Sequence, residues 1–283
     1  RRPEREVVTP SAPPGTLPSR LVILGWPVRH SLSPTFQNAA LRAADVPLHY
    51  AAMAVPPDEL REALALLARE GAAGNVTIPH KDAAWHHCAT RTPVAERTGA
   101  VNTFWTRDGA LHGDNTDVAG FSALARSVLG AEPAAARVLL LGAGGAAAAV
   151  LAALEGWTDR RVTVVARSPE RAARLAERWG PWCTVAPDAE PAAREATVVV
   201  NATPIGLHDD AMPLPVEQLR HDAAVLDLVY RPGGTAWVAA ALRNGHAASD
   251  GLPMLVEQGA LAFRRWLGIE PDRAAMWRAL HER

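Results

Sequence analysis

A lysine closes the stretch Gly74-Asn75-Val76-Thr77-Ile78-Pro79-His80-Lys81. Its Asn-Val-Thr-Ile portion has the β-branched bias of a short buried strand, and Pro79 stops that strand. Lys81 then sits where a strand ends and a helix begins, the usual place for site residues in an open α/β layer. An ammonium group there can stabilise negative charge growing on an oxygen, or give that oxygen a proton. Further on, Gly113-Asp114-Asn115-Thr116-Asp117 forms a polar knot between an apolar hairpin and a helix.

A different chemistry is written after residue 137. Val138-Leu139-Leu140-Leu141 reads as a strand, and Gly142-Ala143-Gly144-Gly145-Ala146-Ala147 turns it into an Ala-rich helix. This is the Gly-x-Gly-x-x-Gly/Ala dinucleotide fingerprint, with Ala147 in third place. Its glycines allow a tight turn and close backbone approach, so that the helix N-terminus can hold a pyrophosphate. The next strand runs from Val162 to Ala166 and leads into Arg167-Ser168-Pro169-Glu170-Arg171. A site for NAD would place Asp or Glu near the end of that strand. Two arginines and a hydroxyl suit a ribose 2′-phosphate instead, which Arg grips with paired hydrogen bonds. The expected cofactor is therefore NADP.

These groups need a scaffold of alternating strands and helices. Leu21-Val22-Ile23-Leu24 is a continuous apolar run of the kind a buried parallel strand shows. Ser33-Pro34 predicts a helix start, with Ser33 as N-cap and Pro34 in the first helical position. A second strand is expected from His49 to Val55. The helix after it, from Pro57 to Glu70, carries Leu60, Leu64 and Leu67 in one stripe and ends at Gly71. Asp108-Gly109 predicts a hairpin turn, and a helix follows from Val118 to Leu129. Further strands are expected from Thr197 to Asn201 and from Ala224 to Val229. A helix reaching Leu267 and a last one after Pro271-Asp272 close the chain. Alternation of this kind means α/β architecture. Two domains are expected: a substrate-binding domain over 19–117 with a mainly parallel sheet, and a Rossmann-type domain over 118–250. Residues 251–283 are expected as helices returning to the first domain. Residues 1–18 carry five prolines and few large apolar groups, and are expected as a disordered tail.

Composition excludes several classes. At 283 residues with a formal net charge of -1, the chain gives no reason to expect nucleic acid or an anionic membrane as partner. Cys88 and Cys183 lie far apart with no Cys-x-x-Cys, against both a zinc site and a disulfide framework. A reducing cytoplasm is the expected location. The longest apolar run, Val138 to Leu154, is mostly Ala and Gly and too weakly apolar to span a membrane. His80, His86 and His87 come without a second ligand cluster, so they are read as surface or packing residues and no metal is expected.

Taken in order, the motifs resemble shikimate dehydrogenase from Leu21 onward. They are Ser31-Leu32-Ser33-Pro34, Asn75-Val76-Thr77-x-Pro79-x-Lys81, Ala100-Val101-Asn102-Thr103, Gly113 to Asp117 and the glycine turn. Asn201-Ala202-Thr203-x-x-Gly206, Asp227-Leu228-Val229-Tyr230 and Met254-Leu255-Val256-x-Gln258 agree as well. The resemblance implies reduction of 3-dehydroshikimate to shikimate with NADPH, on the route to chorismate and the aromatic amino acids. It implies Lys81 and Asp117 as the catalytic pair. Ser31 and Ser33 would bond the substrate carboxylate, and Thr77, Asn102, Tyr230 and Gln258 its hydroxyls and ring edge. Gly142, Ala143, Gly144, Gly145, Ala146, Arg167, Ser168 and Arg171 would hold NADP, with Leu228 and Gly251 near the nicotinamide. The implied partner is a small-molecule substrate, with the protein a monomer or homodimer.

The same residues have plainer readings. Ser33 caps a helix whether or not it binds anything, and Asn102 and Asp117 can satisfy loop backbone. Tyr230 can be a core aromatic. Gln258 on a helix is ordinarily a surface residue, although its neighbours Met254, Leu255 and Leu261 point it inward. A quinate or aminoshikimate dehydrogenase of the same superfamily, and a sensor that binds without turnover, remain alternatives. The chain departs from the family's common Asn-Arg-Thr at Ala166-Arg167-Ser168. It also carries Trp26 where a smaller or polar residue is common and Pro253 where glycine is common.

Overall fold

The computed structural model describes residues 20–282; the tail expected over 1–18 lies outside them. The first elements in chain order are β1 (Leu21–Gly25), α1 (Ser33–Ala43), β2 (Tyr50–Ala54), α2 (Leu60–Arg69), β3 (Ala73–Val76) and α3 (Lys81–His87). β4 (Thr90–Arg91), α4 (Pro93–Thr98), β5 (Thr103–Arg107) and β6 (Ala110–Asp114) follow. One sheet holds these strands in the order β2-β1-β3-β5-β6-β4. β1 pairs in parallel with β2 and β3, while β5 runs antiparallel to both β3 and β6. Asp108 and Gly109 take φ of 51° and 72°, the left-handed pair that a two-residue hairpin turn requires.

Local differences from the sequence reading have physical causes. β3 lies earlier than Asn75 to Ile78, and Ile78 is 59% exposed rather than buried in a strand. Pro79 cannot donate to a ladder, and the chain leaves the sheet before reaching it. Ser33 is the first residue of α1, not its cap; Leu32 occupies the cap position. The Ser33 amide donates to Ser31 Oγ at 3.2 Å within the loop, and no side chain caps the helix. The helix expected from Pro57 opens as a single 3₁₀ turn, Pro57–Glu59, before α2. That turn exposes its residues, and the leucine stripe begins only at Leu60.

The remaining elements are α5 (Asp117–Leu129), β7 (Arg137–Leu141), α6 (Gly145–Leu154), β8 (Arg161–Val165), α7 (Pro169–Glu177) and β9 (Cys183–Val185). Then come α8 (Glu190–Ala193), β10 (Val198–Asn201), β11 (Ala224–Asp227), α9 (Ala236–Arg243), β12 (Ala248–Ser249), α10 (Leu252–Leu267) and α11 (Arg273–His281). The second sheet is parallel throughout, in the order β12-β11-β10-β7-β8-β9. Its first strand, β7, is flanked by β8 and β10, so the order reverses there. Ligands in open α/β sheets sit outside the carboxyl ends of strands at such a switch point. The first sheet has its own switch, where β1 lies between β2 and β3.

Two units result. Of the described residues, the first takes those up to Ala95, Val101–Thr116 and those from Gly259 onward; the second takes Glu96–Ala100 and Asp117–Gln258. The border falls inside α10, whereas the sequence reading draws it at Gly251. An unbroken helix gives no compositional sign of where its packing partners change. At Gly259 an added Cβ would lie 2.3 Å from Phe36, so this glycine lets α10 press against α1 within the first unit. The Glu96–Ala100 segment is held in the second unit by Arg97, which donates to Glu155 and stacks 3.9 Å over Trp179. Each unit has its own apolar core, one around Leu24, Leu64 and Phe104, the other around Phe121, Leu140 and Val164. No helix of the described residues is long and apolar enough to cross a membrane.

Candidate active site

In the first unit, the carboxyl ends of β1 and β3 carry the serine loop and the Thr77–Lys81 turn side by side. Thr77 N donates to Leu24 O at 2.8 Å, and Trp26 N to Ile78 O at 3.0 Å. Gly25 makes this fit possible, since an added Cβ would stand 2.5 Å from the Thr77 methyl. Lys81 opens α3, half-buried, and its carbonyl accepts from Val101 N at 2.9 Å. That bond brings Asn102, the next residue, beside the turn. His80 is buried and its Nε2 pairs with Val55 O at 2.7 Å, so it is a packing residue.

Beneath the turn lies a buried polar network. Tyr50 Oη donates to Asn75 Oδ1 at 2.7 Å, and Asn75 Nδ2 donates to Thr103 Oγ1 at 2.9 Å and Asn102 O at 3.1 Å. Thr103 meets Thr116 hydroxyl to hydroxyl at 3.2 Å. Asn102 closes the ring: its Nδ2 donates to Thr116 Oγ1 at 3.0 Å and its Oδ1 accepts from Thr116 N at 2.8 Å. Much of the Asn102 amide is therefore engaged in holding the chain just before Asp117. Each of these groups is almost fully buried, where an unmet donor or acceptor costs about 1–3 kcal/mol. The network fixes the strand end that presents Thr77 and Lys81.

In the second unit, the glycine turn joins β7 to α6. Gly142 has φ of 115°, and an added Cβ would lie 2.8 Å from Ala202 O. Gly144 is open, with nothing within 4 Å of an added Cβ, and takes the N-cap position of α6 without a side-chain cap. The first α6 amides are thus left for an anion. Arg167 and Arg171 are exposed after β8. Ser168 N-caps α7, accepting from Arg171 N at 3.4 Å and donating to Glu170 Oε2 at 2.8 Å. Its hydroxyl is shared with the helix, and the Glu170 carboxylate beside it carries negative charge into the expected phosphate loop.

Asp117, Tyr230 and Gln258 also belong to the second unit. Asp117 is the buried first residue of α5, where the helix dipole favours a carboxylate. One turn on, an added Cβ at Gly120 would lie 3.0 Å from Gln258 Cβ, so α10 approaches α5 closely here. Gln258 is buried and its Nε2 donates to Leu255 O at 2.8 Å. Burial, and secondarily the charge of Asp117, push the Tyr230 hydroxyl up to about 12, so it stays neutral and can donate. Gly251 N donates to Val229 O at 3.0 Å, and an added Cβ there would meet Leu228 O at 2.4 Å. Leu228, Tyr230 and Gly251 are in this way brought together. Neither cysteine competes as a nucleophile: both are buried, which pushes each thiol up to about 11.

Comparison with known proteins bears on this arrangement. Residues 23–104 match the shikimate dehydrogenase substrate binding domain, 123–206 the shikimate / quinate 5-dehydrogenase family, and 251–281 the shikimate 5'-dehydrogenase C-terminal domain. The NADP(+) shikimate dehydrogenase of one Thermus thermophilus strain is 43% identical over 258 residues, covering 91% of this chain and 95% of that one. The chain belongs to the shikimate dehydrogenase family. That of Rubrobacter xylanophilus is likewise 43% identical, covering 91% and 94%. The crystal structure of the shikimate dehydrogenase from a second Thermus thermophilus strain, a complex with NADP(H) and shikimate, superposes with a TM-score of 0.83 at 41% identity, covering 93% and 98%.

Family motifs accordingly divide between the units. Ser31, Ser33, Thr77, Lys81 and Asn102 gather in the first, while Asp117, Tyr230, Gln258, Leu228, Gly251 and the glycine turn belong to the second. The supporting groups Tyr50, Asn75, Thr103 and Thr116 received no role from sequence. Asn75, Thr103 and Thr116 stood inside the quoted motifs without a role, and Tyr50 stood outside them, on β2.

Proposed function

We propose that the chain catalyses the reversible, NADP-dependent reduction of 3-dehydroshikimate to shikimate, in the cytoplasm, on the route to chorismate and the aromatic amino acids. The observation that carries this is the 43% identity to an NADP(+) shikimate dehydrogenase over 91% of the chain. The described residues fit the dinucleotide. A turn that tolerates no Cβ at Gly142, an open Gly144, uncapped α6 amides and two exposed arginines suit a pyrophosphate and a 2′-phosphate. When bound, NADPH supplies the hydride.

The protein's own residues do the rest. Lys81 stands at the substrate's ketone oxygen, stabilises the negative charge that develops there and supplies the proton that completes the hydroxyl. Asp117 is the second member of the catalytic pair. Ser31 and Ser33 hold the carboxylate, while Thr77, Asn102, Tyr230 and Gln258 hold hydroxyls and the ring edge. Leu228 and Gly251 line the nicotinamide side, and Ser168 joins Arg167 and Arg171 at the 2′-phosphate. A pocket of such donors discriminates strongly, because an analogue lacking a hydroxyl leaves them buried and unpaired.

The test is steady-state reduction of NADP+ and of NAD+ with shikimate and with quinate. The expected result is kcat/KM highest for shikimate with NADP+. A preference for quinate would move the chain to the quinate branch of the same superfamily, and a preference for NAD+ would remove the phosphate assignment of Arg167.

A further inference from the structure

The carboxyl ends of β10 and β11 carry a buried chain of hydrogen bonds with Asp227 at its centre. Asp227 Oδ1 accepts from Asn201 Nδ2 at 2.8 Å and from Val229 N at 3.1 Å; its Oδ2 accepts from Thr235 Oγ1 at 2.8 Å. Asn201 Oδ1 in turn accepts from Thr203 N at 3.0 Å and Thr203 Oγ1 at 2.6 Å. Thr235 caps α9, accepting from Val238 N at 3.3 Å. One carboxylate thus ties together the end of β10, the segment Leu228-Val229-Tyr230 and the start of α9. Asp227, Asn201 and Thr235 are each 2% exposed or less.

This arrangement is costly for stability. The partners of Asp227 are neutral donors, and the charge facing it is the carboxylate of Asp250, which follows β12. On α5, Asp117 adds negative charge near Tyr230. Burial, opposed by the three hydrogen bonds and aided by Asp250, pushes Asp227 up to about 6. A folded pKa above the unfolded one means that the charged form costs stability above pH about 6. That cost fades as pH falls from there toward the ordinary carboxylate range. What the carboxylate provides is geometry, since it accepts at both oxygens from three converging donors, while an amide presents one accepting oxygen.

We infer that Asp227 is a positioning residue of the reaction, whose carboxylate sets the Leu228-Val229-Tyr230 segment through Asn201, Val229 N and Thr235. This rests on the function proposed above. Protonation of Asp227 takes an accepting site from these donors, so turnover falls as pH drops through about 6.

Asp227→Asn in the full chain tests it. Expected are a kcat about tenfold lower with a smaller change in KM for NADP+, an unchanged or raised Tm at mildly alkaline pH, and loss of the acid limb of the kcat profile. A kcat within about twofold of wild type, or kcat and Tm falling together, would overturn the inference. Should this variant fail to fold, Thr235→Val removes a single donor, and a reduced kcat with a displaced acid limb is expected. Wild-type protein that binds NADP+ yet turns over neither shikimate nor quinate would sink the functional reading instead. Asp227 is then judged by hydrogen exchange at the Val229 and Tyr230 amides. Faster exchange in Asp227→Asn supports the positioning role, and unchanged exchange removes it.

Discussion

In the first unit, the candidate site rests on side chains that hold one another. Tyr50, Asn75, Thr103, Thr116 and Asn102 bond in sequence beneath the turn that carries Lys81. In the second, the candidate cofactor site is built from absences of side chain: Gly142, Gly144 and the uncapped amides of α6. The contrast follows from what each must recognise. A small polyhydroxylated acid needs donors fixed in direction, and fixed direction comes from buried, fully bonded neighbours. A pyrophosphate needs close approach to backbone amides, which a Cβ would block.

The largest expected effect lies in the first unit. Lys81→Ala should lower kcat by about 100-fold or more while KM changes far less, as loss of a group acting in the transition state requires. A retained kcat would make the lysine a positioning residue. Next is Asn75→Ala, which strips an acceptor from Tyr50 and a donor from Thr103. Destabilisation of about 1–3 kcal/mol is expected, read as a lower Tm, together with a lower kcat. An unchanged Tm would mean that the network does not bear on the fold.

The second unit should respond differently. Gly142→Ala strains a backbone at φ of 115° and meets Ala202 O, so a loss of about 1–3 kcal/mol is expected along with weaker NADP+ binding. Gly144→Ala meets nothing, and its Tm should stay at the wild-type value while KM for NADP+ rises. Equal Tm losses for the two would erase the distinction between a glycine needed by the fold and one needed by the ligand. Arg167→Ala, at an exposed position, should raise KM for NADP+ about tenfold and leave NAD+ and Tm nearly unchanged. An equal loss for both cofactors would take the 2′-phosphate away from this arginine.

How far the sequence spoke follows the same division. The glycine turn is local, so strand, turn and helix could be read from consecutive residues between Val138 and Leu154. Lys81 at the start of α3 was legible for the same reason, because Pro79 forbids the strand from continuing to it, although β3 already ends at Val76. The network around Asn75 was not, since its members lie on β2, β3, β5 and the end of the hairpin, and only strand pairing brings them together. Ser33 shows the limit at one residue: Ser-Pro announced a helix start, but the loop behind it put Leu32 at the cap position and made Ser33 the first helical residue. The border within α10 left no mark, because a helix keeps its pattern while its partners change.

The most direct test incubates the wild-type protein with shikimate and NADP+ and follows both products. Equal amounts of 3-dehydroshikimate and NADPH are expected, with both consumed when the reaction is run in reverse. Folded protein that binds NADP+ and forms neither product would contradict the account.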